Sequence, residues 1–268
     1  MESGKQEVQS TVGLVKMQKM REEMGLKTVS TSRHMVFTGN PGTGKTTVAR
    51  IMGQLYNEAG VLPKGHVVEV SRGDLVGEYI GHTAVKTQNK IKEAYGGILF
   101  IDEAYTLSKN DNGKDFGQEA IDTLLKEMED HRDNLIVIVA GYSEIKASLI
   151  SSNPGLETRF NKYIDFPDYN ASELYEIFIS MCNKYSFELT EGAKKAAENY
   201  LVILAENKGA NFGNARDVRN FFEKILEKQA VRVGFMRNIS QQDMLTITEA
   251  DIIDYVPPKK SSGIKIGF

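Results

Sequence analysis

The feature that most constrains this chain is a glycine-rich segment, Gly39-Asn40-Pro41-Gly42-Thr43-Gly44-Lys45-Thr46. It has the spacing G-x-x-x-x-G-K-[ST], in which glycines let backbone N–H groups converge on phosphate oxygens. The apolar run 35–37 precedes it, and apolar residues at helical spacing follow it. This order predicts a strand, a loop and a helix, with phosphate bound at the helix N-terminus.

Side chains in and beside this loop are expected to bind ATP and Mg²⁺. Lys45 would reach the β- and γ-phosphates, and the Thr46 hydroxyl would take a coordination position on Mg²⁺. The other residues expected to contact the nucleotide are Gly39, Pro41, Gly42, Thr43, Gly44 and Thr47.

A second motif is the acidic pair Asp102-Glu103, which directly follows the apolar run 98–101. A continuous apolar run is typical of a strand buried on both faces, and ligands of parallel sheets bind where such strands end. We expect Asp102 to hold Mg²⁺, directly or through water, and Glu103 to orient and polarise the attacking water. The two motifs together predict an ATPase.

The pattern of apolar residues changes near Pro167. Before it, apolar runs alternate with helical spacing, which predicts an α/β P-loop NTPase core: a parallel sheet with helices on both faces. After it, only helical spacing is found, which predicts a small all-helical domain. The expected regions are an N-terminal helical segment 1–34, a nucleotide-binding domain 35–167, a helical domain 168–256 and a flexible tail 257–268.

The tail ends in Ile264-Lys265-Ile266-Gly267-Phe268. Such an end is typical of a frayed terminus, although its apolar residues also suit a docking peptide.

Composition excludes several other classes of protein. The chain has 33 basic and 36 acidic residues and a net charge of −3, which argues against binding nucleic acid by bulk positive charge. Cys182 is the single cysteine, so no intrachain disulfide forms and a reducing compartment is favoured. The four histidines are scattered, which argues against a zinc site. No apolar run approaches the ~18 residues of a membrane span, so we expect a cytoplasmic protein with no membrane partner.

Both motifs, with segments 65–87, 116–130 and 136–168, resemble the AAA+ ATPases. Within these, the chain is most similar to the branch that contains the red-type rubisco activase and stage V sporulation protein K. The resemblance covers almost the whole chain and implies an AAA+ core followed by a helical lid domain. It also implies a homo-hexameric ring that binds ATP between subunits and remodels a polypeptide substrate through central pore loops. Roles in sporulation, carbon fixation and secretion all stay open.

The resemblance assigns roles to two arginines. Segment 153–160 resembles the one that presents the arginine finger, so Arg159 would reach the γ-phosphate of the neighbouring subunit. By itself, an arginine beside a phenylalanine is more typical of a surface ion pair. Gly213-Asn214-Ala215-Arg216 resembles the sensor-2 motif, so Arg216 would reach the phosphates from the lid. Arg219, one turn further on, is the alternative, and a solvent-exposed Arg216 is another.

Three further positions follow from the resemblance. Tyr79 and Ile80, between Gly77 and Gly81, would form the pore loop, although apolar loop residues are often folded back on a core. Gly13 would belong to the segment near the adenine, although it lies closer to Gly39 than the family pattern leads us to expect. The sensor-1 position falls on Tyr142 or Ser143, or is filled by a water.

Two other functions fit an AAA+ chain. One is an ATPase that acts on nucleic acid, such as a loader or initiator. The other is an ATP-dependent switch that threads nothing. The mildly negative charge, the lack of an appended helix-turn-helix or zinc module, and the Tyr79-Ile80 pair favour the remodelling of a protein.

Overall fold

The computed structural model describes residues 2–28, 32–79, 81–108, 116–151, 153–209 and 212–252. The chain divides into two compact units. The first comprises Met1–Gly39 and Gly44–Pro167, and the second comprises Asn40–Thr43 and Asp168–Phe268. Ile80 and the tail 257–268 lie outside the described residues, so what is expected of them stays a prediction.

The first unit is built around a sheet of five parallel strands in the order β2-β3-β4-β1-β5. This confirms the predicted α/β core. The strands are β1 (Met35–Gly39), β2 (Val67–Val70), β3 (Gly97–Ile101), β4 (Leu135–Gly141) and β5 (Lys162–Phe166).

Side chains along the central strands point alternately to the two faces of this sheet, and each face carries a buried apolar core. On β3, Leu99 and Ile101 belong to one buried cluster, whereas Ile98 and Phe100 belong to the other. Because successive strand side chains point to opposite faces, a continuous apolar run requires cover on both. The helices of this unit are α1 (Glu2–Glu23), α2 (Lys45–Glu58), α3 (Arg72–Leu75), α4 (His82–Glu93), α5 (Phe116–Asp130) and α6 (Pro154–Arg159).

Two helices carry the apolar faces that cover the sheet. Ala49 and Met52 of α2 are buried in the cluster that contains Phe100. Leu124 and Met128 of α5 are buried in the cluster that contains Leu99. The predicted three-layer arrangement therefore follows from amphipathic helices on a sheet that is apolar on both sides.

Helix α1 begins at Glu2, well before the apolar spacing that starts at Leu14. It ends at Glu23, and Gly25 adopts a φ of 71°, as expected of a glycine that terminates a helix. Among the described residues, no helix combines the length and the apolar character needed to cross a membrane.

The second unit is mainly helical, as predicted, with an aromatic core that includes the stacked rings of Tyr200 and Phe221. Thr190 caps the helix that begins at Glu191 by accepting a hydrogen bond from the Ala193 N–H. The unit also holds a short parallel ladder that the helical spacing does not predict. Its elements are α7 (Ala171–Lys184), β6 (Glu188–Leu189), α8 (Glu191–Glu206), α9 (Ala215–Gly234), α10 (Gln241–Leu245) and β7 (Thr246–Ile247).

Candidate nucleotide site

The glycine-rich loop connects the end of β1 to the start of α2. Gly44, which has no side chain to cap the helix, adopts a φ of 90° at the N-cap of α2. A helix N-terminus presents N–H groups to an anionic ligand, and the helix dipole favours an anion there. Lys45 Nζ donates a hydrogen bond to the Gly39 carbonyl at 2.7 Å, which folds its chain back along the loop. This backbone geometry fits a phosphate group.

The acidic pair follows β3, with strained backbone at its second residue. The Asp102 N–H donates to the Val70 carbonyl at 2.9 Å, which extends the pairing of β3 with β2 by one residue. Glu103 is exposed and adopts a φ of 48°, which is uncommon for a residue other than glycine. Its carbonyl accepts hydrogen bonds from the Thr106 N–H at 2.9 Å and from Thr106 Oγ1 at 2.7 Å. The carboxylate takes no part in these bonds, so it is free of a structural role in the turn.

The acidic pair and the glycine-rich loop lie at the same edge of the sheet. β4 separates β3 from β1, with Ile101 level with Val139 and Thr38 level with Gly141. All three strands are parallel, so Asp102, Tyr142 and the loop follow their carboxyl ends together. Two strand spacings place β1 and β3 about 10 Å apart. That separation leaves room for phosphate groups between Lys45 and Glu103.

The residues present fit a Mg²⁺ ion rather than a metal held by protein alone. Among the described residues, no group of three or more His, Cys, Asp or Glu side chains is placed to hold a metal. Mg²⁺ is usually bound by one or two protein oxygens together with phosphate oxygens and water. Thr46 at the start of α2 and Asp102 at the end of β3 supply such oxygens.

Both candidates for sensor 1, Tyr142 and Ser143, are exposed just after β4. The Tyr142 ring lies 5.8 Å from the ring of Tyr105. Burial, followed by the charge of Glu103, raises the pKa of Tyr105. A protonated phenol therefore lies near the acidic pair, and the choice among Tyr142, Ser143 and a water for the sensor-1 position stays open.

The tip of the glycine-rich loop groups with the second unit, where Asn214 organises it. Asn214 is fully buried, and its side chain donates to the Pro41 carbonyl at 3.2 Å and to Asp168 Oδ1 at 2.8 Å. Its Oδ1 accepts from the Tyr169 N–H at 2.9 Å. Tyr169 in turn donates from its hydroxyl to the Thr43 carbonyl at 2.9 Å. Burial raises the pKa of Tyr169, so this hydroxyl keeps its proton.

Close backbone approach explains a glycine in this loop tip. Gly42 has a φ of 75°, and a Cβ there would lie 2.1 Å from the Gly213 carbonyl oxygen. The Gly42 carbonyl also accepts from the Ala215 N–H at 3.2 Å. Arg216 is therefore the residue that directly follows a backbone contact to the loop. Arg216 and Arg219 are both exposed, and both stay candidates for the phosphate contact.

Arg159 lies at the end of α6 and is paired within its own subunit. Its Nη2 lies 3.0 Å from Glu129 Oε2, and its Nη1 donates to the Gly155 carbonyl at 3.1 Å. This is the ion pair that an arginine in such a position is expected to form. Glu129 is more than half exposed, so the pair is weak enough to exchange for another anion.

The remaining predicted positions lie outside the loop and the acidic pair. The side chain of Tyr79 is 66% exposed, so it is not folded back on the core. Among the described residues, the one aromatic ring near that of Tyr79 belongs to His82, three residues later in the sequence, at a centroid distance of 5.5 Å. Gly13 is exposed in the middle of α1, with nothing within 4 Å of where its Cβ would be. Its place beside an adenine stays a prediction.

Comparison with known proteins identifies the family. The family described as "ATPase family associated with various cellular activities (AAA)" matches residues 35–168, and the AAA lid domain matches residues 170–262. The chain is an AAA ATPase. It therefore binds nucleotide and hydrolyses ATP, and the second unit carries the lid domain.

The relatives of this AAA ATPase place it in the group of the family that contains stage V sporulation protein K, CbbX and a rubisco activase. It is 46% identical over 253 residues to stage V sporulation protein K of Bacillus subtilis, covering 94% of this chain and 78% of the relative. It is 42% identical over 250 residues to protein CbbX of Cereibacter sphaeroides, covering 92% and 80%. It is 41% identical over 251 residues to the chloroplastic ribulose bisphosphate carboxylase/oxygenase activase of Cyanidioschyzon merolae, covering 93% and 85%.

The role of Asn214 was missed by sequence reasoning, and it leads to a prediction. We expect Asn214→Ala to lower the free energy of unfolding by about 2–3 kcal/mol, because buried partners lose their hydrogen bonds. Asn214→Gly should recover only part of the lost free energy of unfolding, because glycine tolerates the φ of 53° at this position but restores no hydrogen bond. Chemical denaturation measures both, with the exposed Asn207→Ala as control. Wild-type stability of Asn214→Gly would contradict the hydrogen-bonding role.

Proposed function

We propose that this AAA ATPase forms a homo-hexameric cytoplasmic ring that uses ATP hydrolysis to remodel a protein partner. The observation that carries the proposal is the loop after α3. Tyr79 is exposed there between Gly77 and Gly81, and Gly81 adopts a φ of 81°. Leu75, four residues earlier, is buried, so the chain leaves the core before it reaches the tyrosine. An exposed aromatic ring on a glycine-flanked loop suits packing against an extended polypeptide.

The catalytic roles follow from the carboxyl edge of the sheet. Lys45 and the N–H groups of α2 bind the phosphates, and Glu103 orients the attacking water and accepts its proton. Thr46 and Asp102 hold Mg²⁺, which supplies positive charge to the phosphate oxygens. The turn at Thr106 fixes the backbone of Glu103 while leaving its carboxylate exposed.

Two arginines complete the proposed site. Arg159 exchanges its Glu129 partner for the γ-phosphate of a nucleotide bound by the next subunit, where it stabilises the charge that develops during transfer. Arg216 contacts the phosphates and couples the nucleotide state to the lid domain. The Ala215 N–H contact to Gly42 supports this, because it ties the start of α9 to the loop tip.

The nature of the partner is supported by the charge of the chain and by its relatives. The net charge of −3 gives no bulk attraction to nucleic acid. One relative carries the name of an activase of another enzyme, which is a protein partner. We therefore expect a polypeptide substrate, and stimulation of the ATPase by DNA or RNA alone would contradict this choice.

Tyr79→Ala tests the gripping role directly. We expect this variant to bind and hydrolyse ATP at close to the wild-type basal rate but to lose stimulation by the protein partner, because its side chain is exposed and remote from the phosphate-binding loop in sequence. The partner protein for this measurement is identified first, as the protein that co-purifies with Glu103→Gln, a variant expected to bind ATP without hydrolysing it. Tyr79→Phe should retain the stimulation, and Tyr185→Ala is the matched control at another exposed tyrosine. Normal stimulation of Tyr79→Ala would refute the gripping role.

A further inference from the structure

The first unit has a cleft of about 210 Å³ at the edge of the sheet opposite the glycine-rich loop. Residues 32–34 lie just before β1, residues 129–133 span the end of α5 and the loop that leads to β4, and Arg159 ends α6 shortly before β5. These are the amino ends of parallel strands. A strand of about five residues spans about 17 Å, so the cleft is distinct from the phosphate-binding loop of its own chain. We call it the arginine cleft, and its charged lining residues are Arg33, Glu129, Arg132, Asp133 and Arg159.

Positive charge exceeds negative charge in this cleft. Three arginines line it, whereas the carboxylates in the lining are Glu129 and Asp133. Lys162 adds a cation close by, and burial, followed by the charge of Arg33, lowers its pKa. Partly buried cations without full compensation are costly, so the cleft favours an anion.

The hydrogen-bonding capacity of these cations is also only partly used. Arg33 Nε, Arg159 Nε and Lys162 Nζ are buried, and none of them has a hydrogen-bond partner among the residues that the structure describes. At the ends of the guanidinium groups, Arg33 Nη1 lies 4.0 Å from Asp133, and Arg132 Nη1 lies 3.9 Å from Glu129. Both distances are too long for hydrogen bonds. Arg33 and Arg132 therefore have donors to offer, unlike the ends of Arg159, which are bonded to Glu129 and Gly155.

The floor of the cleft contributes no further charge. His34 is buried there, and its Nδ1 accepts a hydrogen bond from the Val137 N–H at 2.9 Å. Burial, followed by the charges of Arg159 and Arg33, lowers the pKa of His34 to about 4. The ring is therefore neutral near pH 7, and the attraction for an anion comes from the arginines and the nearby Lys162.

We propose that the arginine cleft binds a phosphate-type oxyanion, with Arg33 and Arg132 as ligands beside Arg159. Guanidinium groups match such anions because they donate two hydrogen bonds in a fixed plane. The oxyanion belongs either to a free phosphate compound or to a nucleotide held by a neighbouring copy, and both present the same chemistry. The second source rests on the proposed role of Arg159, whereas the binding by Arg33 and Arg132 does not.

Inorganic phosphate is the probe for the first source. Its binding to dilute full-length protein is measured by calorimetry in a Lys45→Ala background, which weakens binding at the glycine-rich loop. We expect saturable binding that Arg33→Gln and Arg132→Gln each weaken about 10-fold, as loss of a charge-assisted hydrogen bond predicts. Arg132 is 62% exposed, so its variant should fold even if Arg33→Gln does not. Arg50→Gln, which removes an exposed arginine from another ion pair, is the control.

The second source is tested by ATP turnover at concentrations at which copies of the chain associate. If the oxyanion belongs to a neighbour's nucleotide, Arg33→Gln and Arg132→Gln in the otherwise wild-type chain lower turnover about 10-fold, and Arg50→Gln does not. An effect of these variants on phosphate binding or on ATP turnover supports anion binding in the arginine cleft. Which of the two measurements changes identifies the source of the oxyanion. The proposal is overturned if Arg132→Gln changes neither phosphate binding nor turnover. An Arg159→Ala variant with full turnover would refute the trans role of Arg159, while phosphate binding that depends on Arg132 would still stand.

Discussion

Glu103→Gln is expected to bind ATP with wild-type affinity and to hydrolyse it at least about 100-fold more slowly. General-base catalysis contributes roughly 10²–10⁴-fold to such reactions, and the amide cannot accept a proton from the attacking water. The fold should be unaffected, because the turn around Glu103 uses its backbone carbonyl and N–H rather than its carboxylate. Phosphate release gives the turnover, and nucleotide binding is followed separately by calorimetry.

Glu144 provides a matched control for this variant. It is an exposed carboxylate that follows β4 at the same edge of the sheet, and no catalytic role is assigned to it. Glu144→Gln should hydrolyse ATP at the wild-type rate. Near-normal turnover by Glu103→Gln would remove Glu103 from the mechanism, and a loss of ATP binding would mean that it acts before the chemical step.

Arg159→Ala is expected to lower turnover by about 10³-fold or more while leaving nucleotide binding to the glycine-rich loop intact. An arginine supplied to a γ-phosphate from outside the nucleotide-binding subunit is worth about 10³–10⁵ in rate. The pair with Glu129 does not oppose this role strongly. Its carboxylate is 58% exposed, and exposed pairs contribute about 0.2–1 kcal/mol.

Glu157 lies on the same short helix as Arg159 and is exposed, which makes Glu157→Ala the control for damage to α6. It should retain wild-type turnover. Size-exclusion chromatography with light scattering shows whether the Arg159→Ala subunits still associate. Wild-type turnover by Arg159→Ala would mean that Arg159 takes no part in hydrolysis and serves only in its ion pair with Glu129.

Much of the fold could be predicted because its signals are local and strong. The runs 98–101 and 135–140 are apolar without interruption, as is typical of a strand that is covered on both faces. The β6–β7 ladder could not be predicted in the same way. Its strands are two residues long and join positions that are distant in sequence, so neither leaves a periodic pattern. Residues 2–10 of α1 carry no apolar spacing, so this pattern alone does not show where the helix begins.

The candidate site was predictable where a motif fixes both residue type and position. Lys45, Thr46, Asp102 and Glu103 fall in such motifs, and the sheet brings both motifs to its carboxyl edge. Asn214 was not predictable as an organiser of the loop tip. Its partners, Pro41, Asp168 and Tyr169, are spread over the sequence, and only the folded chain brings them together.

The most direct test of the account is to mix Glu103→Gln subunits with Arg159→Ala subunits and to measure ATP turnover. Each variant alone is expected to be nearly inactive. In a mixed head-to-tail ring, about one quarter of the interfaces would combine an intact Glu103 with an intact Arg159 from the next subunit. The account predicts turnover well above the sum of the two separate variants. Turnover that never exceeds this sum, in a mixture shown to form mixed assemblies, would contradict an active site shared between subunits.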